Sequence, residues 1–195
     1  MTDRVTLIEK KILARDWGEL SRTTLDYQRS DGTVQRLARE VYDHGNAAAM
    51  LLVDPARHTV LLVRQFRYPV LANGDPACLL EASAGLLDGD EPLACAAREA
   101  LEETGHAPRA IRKVCDIYPS PGSLKEKVSL FIGEYDATTR RSAGGGLSQE
   151  GEDIELVELP LADALALIGS GGITDAKTIV LLQHLALQGF GAAAQ

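Results

Sequence analysis

Apolar residues fall in short runs rich in β-branched side chains, and turn residues close most of them, so much of the chain reads as strands. Residues 5–14 predict one strand. Residues 23–28 and 34–41 predict two more around Ser30-Asp31-Gly32-Thr33, where Asp-Gly marks a hairpin. This antiparallel β arm, residues 1–44, is too thin to bury both of its faces alone, so it is expected to pack on the rest of the chain or on a second copy. A compact domain, residues 45–195, follows. Residues 47–53 and 60–67 predict strands separated by Asp54-Pro55, and residues 79–84 predict another that runs into Gly85. Residues 112–118 and 127–135 predict strands joined by Pro119-Ser120-Pro121-Gly122-Ser123, and residues 153–159 predict a last short one.

Elsewhere the apolar period is helical. Pro92 opens a helix that runs to about Thr104, with Asp88, Asp90 and Glu91 at its positive end and Gly105 as its stop. Leu93, Ala97, Ala100 and Leu101 are expected to form its apolar side, with the acidic side facing away. Residues 161–168 and 175–188 predict two further helices, separated by Gly169-Ser170-Gly171-Gly172 and ended by Gly189. Residues 140–151, RRSAGGGLSQEG, predict a mobile loop. Strands and helices mixed without strict alternation predict an α+β fold, an α/β/α sandwich with a mixed sheet.

The acidic side of the first helix is the strongest chemical signal. Glu99, Glu102 and Glu103 stand at i, i+3 and i+4, within about a 100° arc, where like charges repel. A charged helix face is usually a solvated surface. Three details favour a divalent-cation site instead. The glutamates lack lysine partners at i+4; a glycine turn at Gly85 precedes them; and Arg98 stands two turns beyond Glu91, placed to brace the loop entering the helix. Mg²⁺ takes carboxylate and carbonyl oxygens and keeps waters for a phosphate ligand.

Composition narrows the class of partner. With 195 residues, 45% of them apolar, the chain suits one domain with a small appended piece. A net charge of −8 argues against a broad nucleic-acid face, but not against a small phosphorylated substrate met by local Arg, Lys or metal. Cys78, Cys95 and Cys115 are odd in number and form no CxxC pair, so buried reduced thiols are expected rather than a disulfide framework. The first twenty residues are too charged for a secretory leader, and the longest apolar run, residues 47–53, is too short for a bilayer. A cytoplasmic protein with no membrane partner is expected.

Gly85, Glu91 and Arg98-Glu99-Ala100-Leu101-Glu102-Glu103-Thr104-Gly105 resemble the signature box of the Nudix hydrolases. Two departures stand out: six residues separate Glu91 from Arg98 where the family pattern has seven, and His106 replaces an aliphatic residue. The stretch 85–92, Arg64-Gln65-Phe66-Arg67 and Ser120-Pro121-Gly122 are similar to the nucleoside-diphosphate-sugar and ADP-ribose pyrophosphatase branch. The glycine loop with Glu152-Asp153-Ile154-Glu155 after it, and Asp175-Ala176-Lys177-Thr178, look like the GDP-mannose pyrophosphatase group within that branch.

This resemblance implies a Nudix-type sandwich and a homodimer whose N-terminal arm reaches the partner's substrate. It implies metal ligation by the Ala84 carbonyl, Glu99, Glu103 and Glu152, with Mg²⁺ as the metal and Mn²⁺ as a substitute. Glu99, Glu103 and Glu152 are then the expected catalytic residues, and Glu102 tunes the cluster. The implied reaction is hydrolysis of a nucleoside diphosphate sugar, GDP-mannose before ADP-ribose, by water attacking at phosphorus. Arg67, Arg39 and Lys177 match positions facing the diphosphate, and Glu40 and Glu126 match substrate-contacting acids. Trp17 stands where an aromatic meets the base. A non-catalytic nucleotide-sugar sensor on the same fold is the alternative from another class, and a purely structural dimer is a third.

Overall fold

The computed structural model describes residues 4–190. They separate into two compact units: residues 4–46 together with Tyr118–Lys127, and Ala47–Ile117 together with residues 128–190.

In the first unit, β1 (Val5–Arg15), β2 (Glu19–Gln28) and β3 (Val34–Asp43) form an antiparallel sheet in the order β1-β2-β3. The Asp-Gly hairpin forms as expected: the Asp31 carboxylate accepts from the Thr33 amide at 3.0 Å, and Gly32 takes φ 86°, a left-handed conformation that suits glycine. Both faces of β1 are exposed along its whole length, Leu7 at 71%. The 118–127 segment joins this unit through its backbone, Tyr42 N–H donating to Ser123 O at 2.9 Å and Lys125 N–H to Tyr42 O at 3.0 Å.

The second unit is an α+β sandwich around a mixed seven-stranded sheet. Its strands are β4 (Ala47–Asp54), β5 (Thr59–Phe66), β6 (Cys78–Glu81), β7 (Ser83–Leu86), β8 (Arg109–Ile117), β9 (Val128–Glu134) and β10 (Glu155–Pro160). The order is β10-β5-β4-β9-β8, with β6 on β5 and β7 on β4; β4 and β9 run parallel. Every residue of β4 is buried, and their alternation supplies two cores. Ala47, Ala49, Leu51 and Val53 face the side packed by α3 (Leu161–Ser170) and α4 (Ala176–Gln188). Ala48, Met50 and Leu52 face α2 (Pro92–Thr104), meeting its Cys95, Ala96 and Ala100. Gly133 of β9 leaves room for this packing, because a Cβ there would lie 2.7 Å from the Met50 sulfur and would force it to shift.

Four readings of the sequence change. The single strand expected over residues 79–84 is two, broken at Ala82, whose amide leaves the ladder to donate to Thr178 Oγ1 of α4 at 2.7 Å. A short helix, α1 (Tyr68–Ala72), was not anticipated from the Arg67-to-Gly74 stretch. Leu93 does not belong to the apolar side of α2: it is 49% exposed, while Glu103 and Thr104 are buried. The cysteines carry free thiols, but Cys78 is exposed rather than buried. No helix among the described residues is long and apolar enough to cross a membrane.

Candidate active site

The site assembles at α2, at the β6–β7 break, and at the loop before β10. α2 starts at Pro92 and ends at Gly105, which takes φ 75° and donates its N–H to Leu101 O. Arg98 meets three carboxylates: Glu99 at 2.8 Å, Glu102 at 3.2 Å and Asp90 at 3.4 Å. It therefore braces the entry loop as expected and also offsets two of the three helix glutamates.

Glu103 is the exception. It is 1% exposed, and its Oε2 has no hydrogen-bond partner among the described residues. Burial raises its pKa to about 8; Glu152 and Glu99 push the same way, against a lowering by the Ser83 hydroxyl and the Arg67 guanidinium. Glu99 is also raised, first by burial, then by Glu102 and Glu152, with Arg98 opposing. A carboxylate left buried and unpaired is costly unless a proton or a cation joins it. Gly85 keeps the backbone bare beside Glu99, since a Cβ there would run into that carboxylate. Ala84, whose carbonyl is the expected backbone ligand, is the preceding residue of β7.

The loop carrying Glu152 docks on the C-terminal end of α2. Gly145 N–H donates to Glu103 O at 2.8 Å, Gly146 N–H to Glu102 O at 3.3 Å, and Arg141 N–H to Gly105 O at 2.7 Å. These bonds satisfy carbonyls that a helix end otherwise leaves open. The loop also contains a single 3-10 turn, Ser148–Glu150. Glu152 accepts from Leu147 N–H at 2.9 Å and from Gln65 Nε2 at 3.4 Å. Among the described residues, no three His, Cys, Asp or Glu side chains are gathered closely enough to enclose an ion. The donor set nevertheless suits a hard cation: a buried carboxylate oxygen without a partner, two further carboxylates within electrostatic reach of it, and a bare backbone turn.

A basic pair stands beside these acids. Arg67 donates Nε–H to Glu81 Oε1 at 2.8 Å and Nη2–H to Glu81 Oε2 at 3.2 Å. Lys177 donates to Glu81 Oε2 and, at 2.8 Å, to Asp175 Oδ1. Asp175 also caps α4, accepting from Thr178 N–H at 2.9 Å. Glu81 and Ser83 were not anticipated as site residues, and Gln65 entered only within the Arg64-Gln65-Phe66-Arg67 stretch. The one signal for Glu81 was a carboxylate inside the apolar run Cys78-Leu79-Leu80-Glu81-Ala82.

The remaining expected site residues lie in the first unit. Trp17 is 71% exposed and stacks on His44, with ring centroids 5.2 Å apart and planes 19° from parallel. Arg39 and Glu40 are exposed on β3, opposite Thr23 and Arg22 of β2. Glu126 is half-buried in the 118–127 segment.

Acids on one helix, with the loop that carries Glu152 docked on that helix's end, give this sandwich the oxygen-rich frame that metal-assisted hydrolysis of a phosphorylated substrate needs. Residues 43–180 match the model of the NUDIX domain, and the protein belongs to the Nudix hydrolases, enzymes that work with a divalent metal. Residues 4–42 match the GDP-mannose pyrophosphatase NudK N-terminal domain. The GDP-mannose pyrophosphatase of Cronobacter sakazakii is 48% identical over 190 residues, 97% of this chain and 98% of that protein. That of Escherichia coli K12 is 47% identical over 186 residues, 95% of this chain and 96% of that protein. Among solved structures, an ADP compounds hydrolase shares the fold with a TM-score of 0.69 at 21% identity, covering 95% of this chain and 96% of that one.

Proposed function

We propose that this enzyme hydrolyses GDP-mannose to GMP and mannose 1-phosphate, with Mg²⁺ as its metal and Mn²⁺ as a working substitute. The observation that carries this reading is the match along the whole chain, N-terminal arm included, to proteins named for that activity. The Ala84 carbonyl, Glu99, Glu103 and Glu152 would hold the cation. When bound, it would neutralise diphosphate charge and lower the pKa of a water for in-line attack.

Each of this chain's residues then has a part. Glu103, buried with its Oε2 unpartnered among the described residues, would meet the cation, whose positive charge would favour its anion against the penalty of burial. Glu152, held by Leu147 and Gln65, orients the attacking water. Arg67, Lys177 and Arg39 face the diphosphate; Trp17 stacks on guanine; Glu40 and Glu126 contact base or sugar. Residues 1–44 form the arm of a homodimer and reach the partner's substrate, and residues 45–195 carry the hydrolase. Three free thiols suit a reducing cytoplasm.

A product assay with purified protein and Mg²⁺ over GDP-mannose, ADP-ribose, ADP-glucose and UDP-glucose tests the reading. GMP and mannose 1-phosphate, formed fastest, are the expected products. Faster turnover of ADP-ribose would move the assignment to that substrate, and binding without hydrolysis of any of the four would favour a sensor.

A further inference from the structure

Glu81 is 2% exposed at the end of β6, in an apolar run, with three hydrogen bonds from two cationic side chains. Burying a carboxylate for packing alone is unfavourable, and apolar residues of similar volume often replace a buried ion pair without loss of stability. The cluster therefore calls for an explanation in what it does to its cations. Glu81 takes the Nε hydrogen and one Nη2 hydrogen of Arg67, which fixes the guanidinium plane and leaves both Nη1 hydrogens and one on Nη2 unused by it. Glu81 and Asp175 take two of the three Lys177 hydrogens and leave one. Arg67 is close enough to Glu103 for each to feel the other's charge, so Arg67 borders the acid cluster, and Lys177 is tied to Arg67 through Glu81.

We propose that Glu81 is a positioning residue of the diphosphate site, one carboxylate that aims Arg67 and Lys177 together so that their remaining donors serve the same diphosphate. The inference rests on the functional reading above and deepens it. Burial opposes the charge on Arg67, Lys177 and Glu81, yet their mutual pairing keeps all three ionised.

A positioning carboxylate and a mere counter-charge give opposite signs on removal. If Glu81 only cancels positive charge, Glu81→Gln exposes the cations' field and tightens diphosphate binding. If it aims them, Glu81→Gln weakens binding although the local charge has become more positive.

The test is calorimetric titration of pyrophosphate in the presence of Mg²⁺ into wild type, Glu81→Gln, Glu81→Asp, Arg67→Ala and the Glu81→Gln/Arg67→Ala double variant, with thermal melts as the check on folding. Glu81→Gln is expected to weaken pyrophosphate binding about tenfold or more, and to cost less in the Arg67→Ala background than in wild type. Unchanged or tighter binding in folded Glu81→Gln, or equal losses in both backgrounds, would overturn the proposal. Should Glu81→Gln not fold, Glu81→Asp decides: it keeps the charge but withdraws it by one methylene, so weaker binding supports aiming and unchanged binding refutes it. Pyrophosphate carries neither base nor sugar, so a failed product assay with GDP-mannose leaves this result standing and is read separately.

Discussion

Glu103 concentrates the chemistry of this protein in one carboxylate. Its ordinary pKa of 4.5 is raised to about 8, and burial is the largest cause. Between those values the folded protein holds a proton that the unfolded chain has released, so metal-free protein should lose stability as pH rises from about 4.5 to about 8. Thermal melts in chelator across that range should show the fall. Glu103→Gln should flatten it and melt higher than wild type near pH 8. The same substitution should reduce Mg²⁺-dependent turnover by at least ~10²-fold; near-normal rates would remove Glu103 from the metal shell. Glu152→Gln separates two roles for the distal acid. A drop in kcat with unchanged Mg²⁺ dependence would mark water orientation, whereas a higher Mg²⁺ requirement would mark ligation.

The helix and the glycine loop work as one element. Gly105, Gly144 and Gly146 have φ of 75°, 73° and 77°, and each would place a Cβ against the other partner or against Glu152. Gly105→Ala forces a left-handed residue with a side chain against the Ser142 carbonyl, and should cost about 1–2 kcal/mol in denaturant unfolding. Gly146→Ala would set a Cβ 2.5 Å from Glu152 Oε2, so it should lower kcat more than its loss of stability explains. Equal effects on rate and stability would show that the loop only caps the helix. Glycine here is what lets the loop backbone approach the helix carbonyls closely enough to bond them.

For the whole molecule, the exposed apolar surface of β1 is the feature that bears on assembly. Val5, Leu7, Ile8, Ile12 and Leu13 are all at least 42% exposed, on a strand whose two faces are both open. Scattered exposed apolar residues are ordinary, but five on one strand of a thin sheet are a surface that a second copy can cover. Sedimentation should show a dimer, and deletion of residues 1–40 should give a monomer without activity. A stable, active dimer after that deletion would refute the arm's role. Trp17 provides a second check: Trp17→Ala should raise KM for GDP-mannose while leaving pyrophosphate binding unchanged.

Local pattern was enough for the strands, the long helix and its glycine stop, because alternation, helical period and caps are properties of neighbouring residues. The spacing of Glu99, Glu102 and Glu103 was enough to raise a cation site. Three features lay beyond that reach. The break at Ala82 depends on Thr178, which is remote in sequence. Burial of Glu103 and exposure of Leu93 depend on which side of α2 the sheet covers, and periodicity alone assigned that wrongly. Glu81 looked like one more acid in a strand until the fold brought Arg67 and Lys177 to it. The chain's own order thus determined its elements and the kinds of group it can offer. Packing decided which acid keeps an oxygen without a partner among the described residues and which cations are held near it, because desolvation and pairing are set by neighbours that only the folded chain supplies.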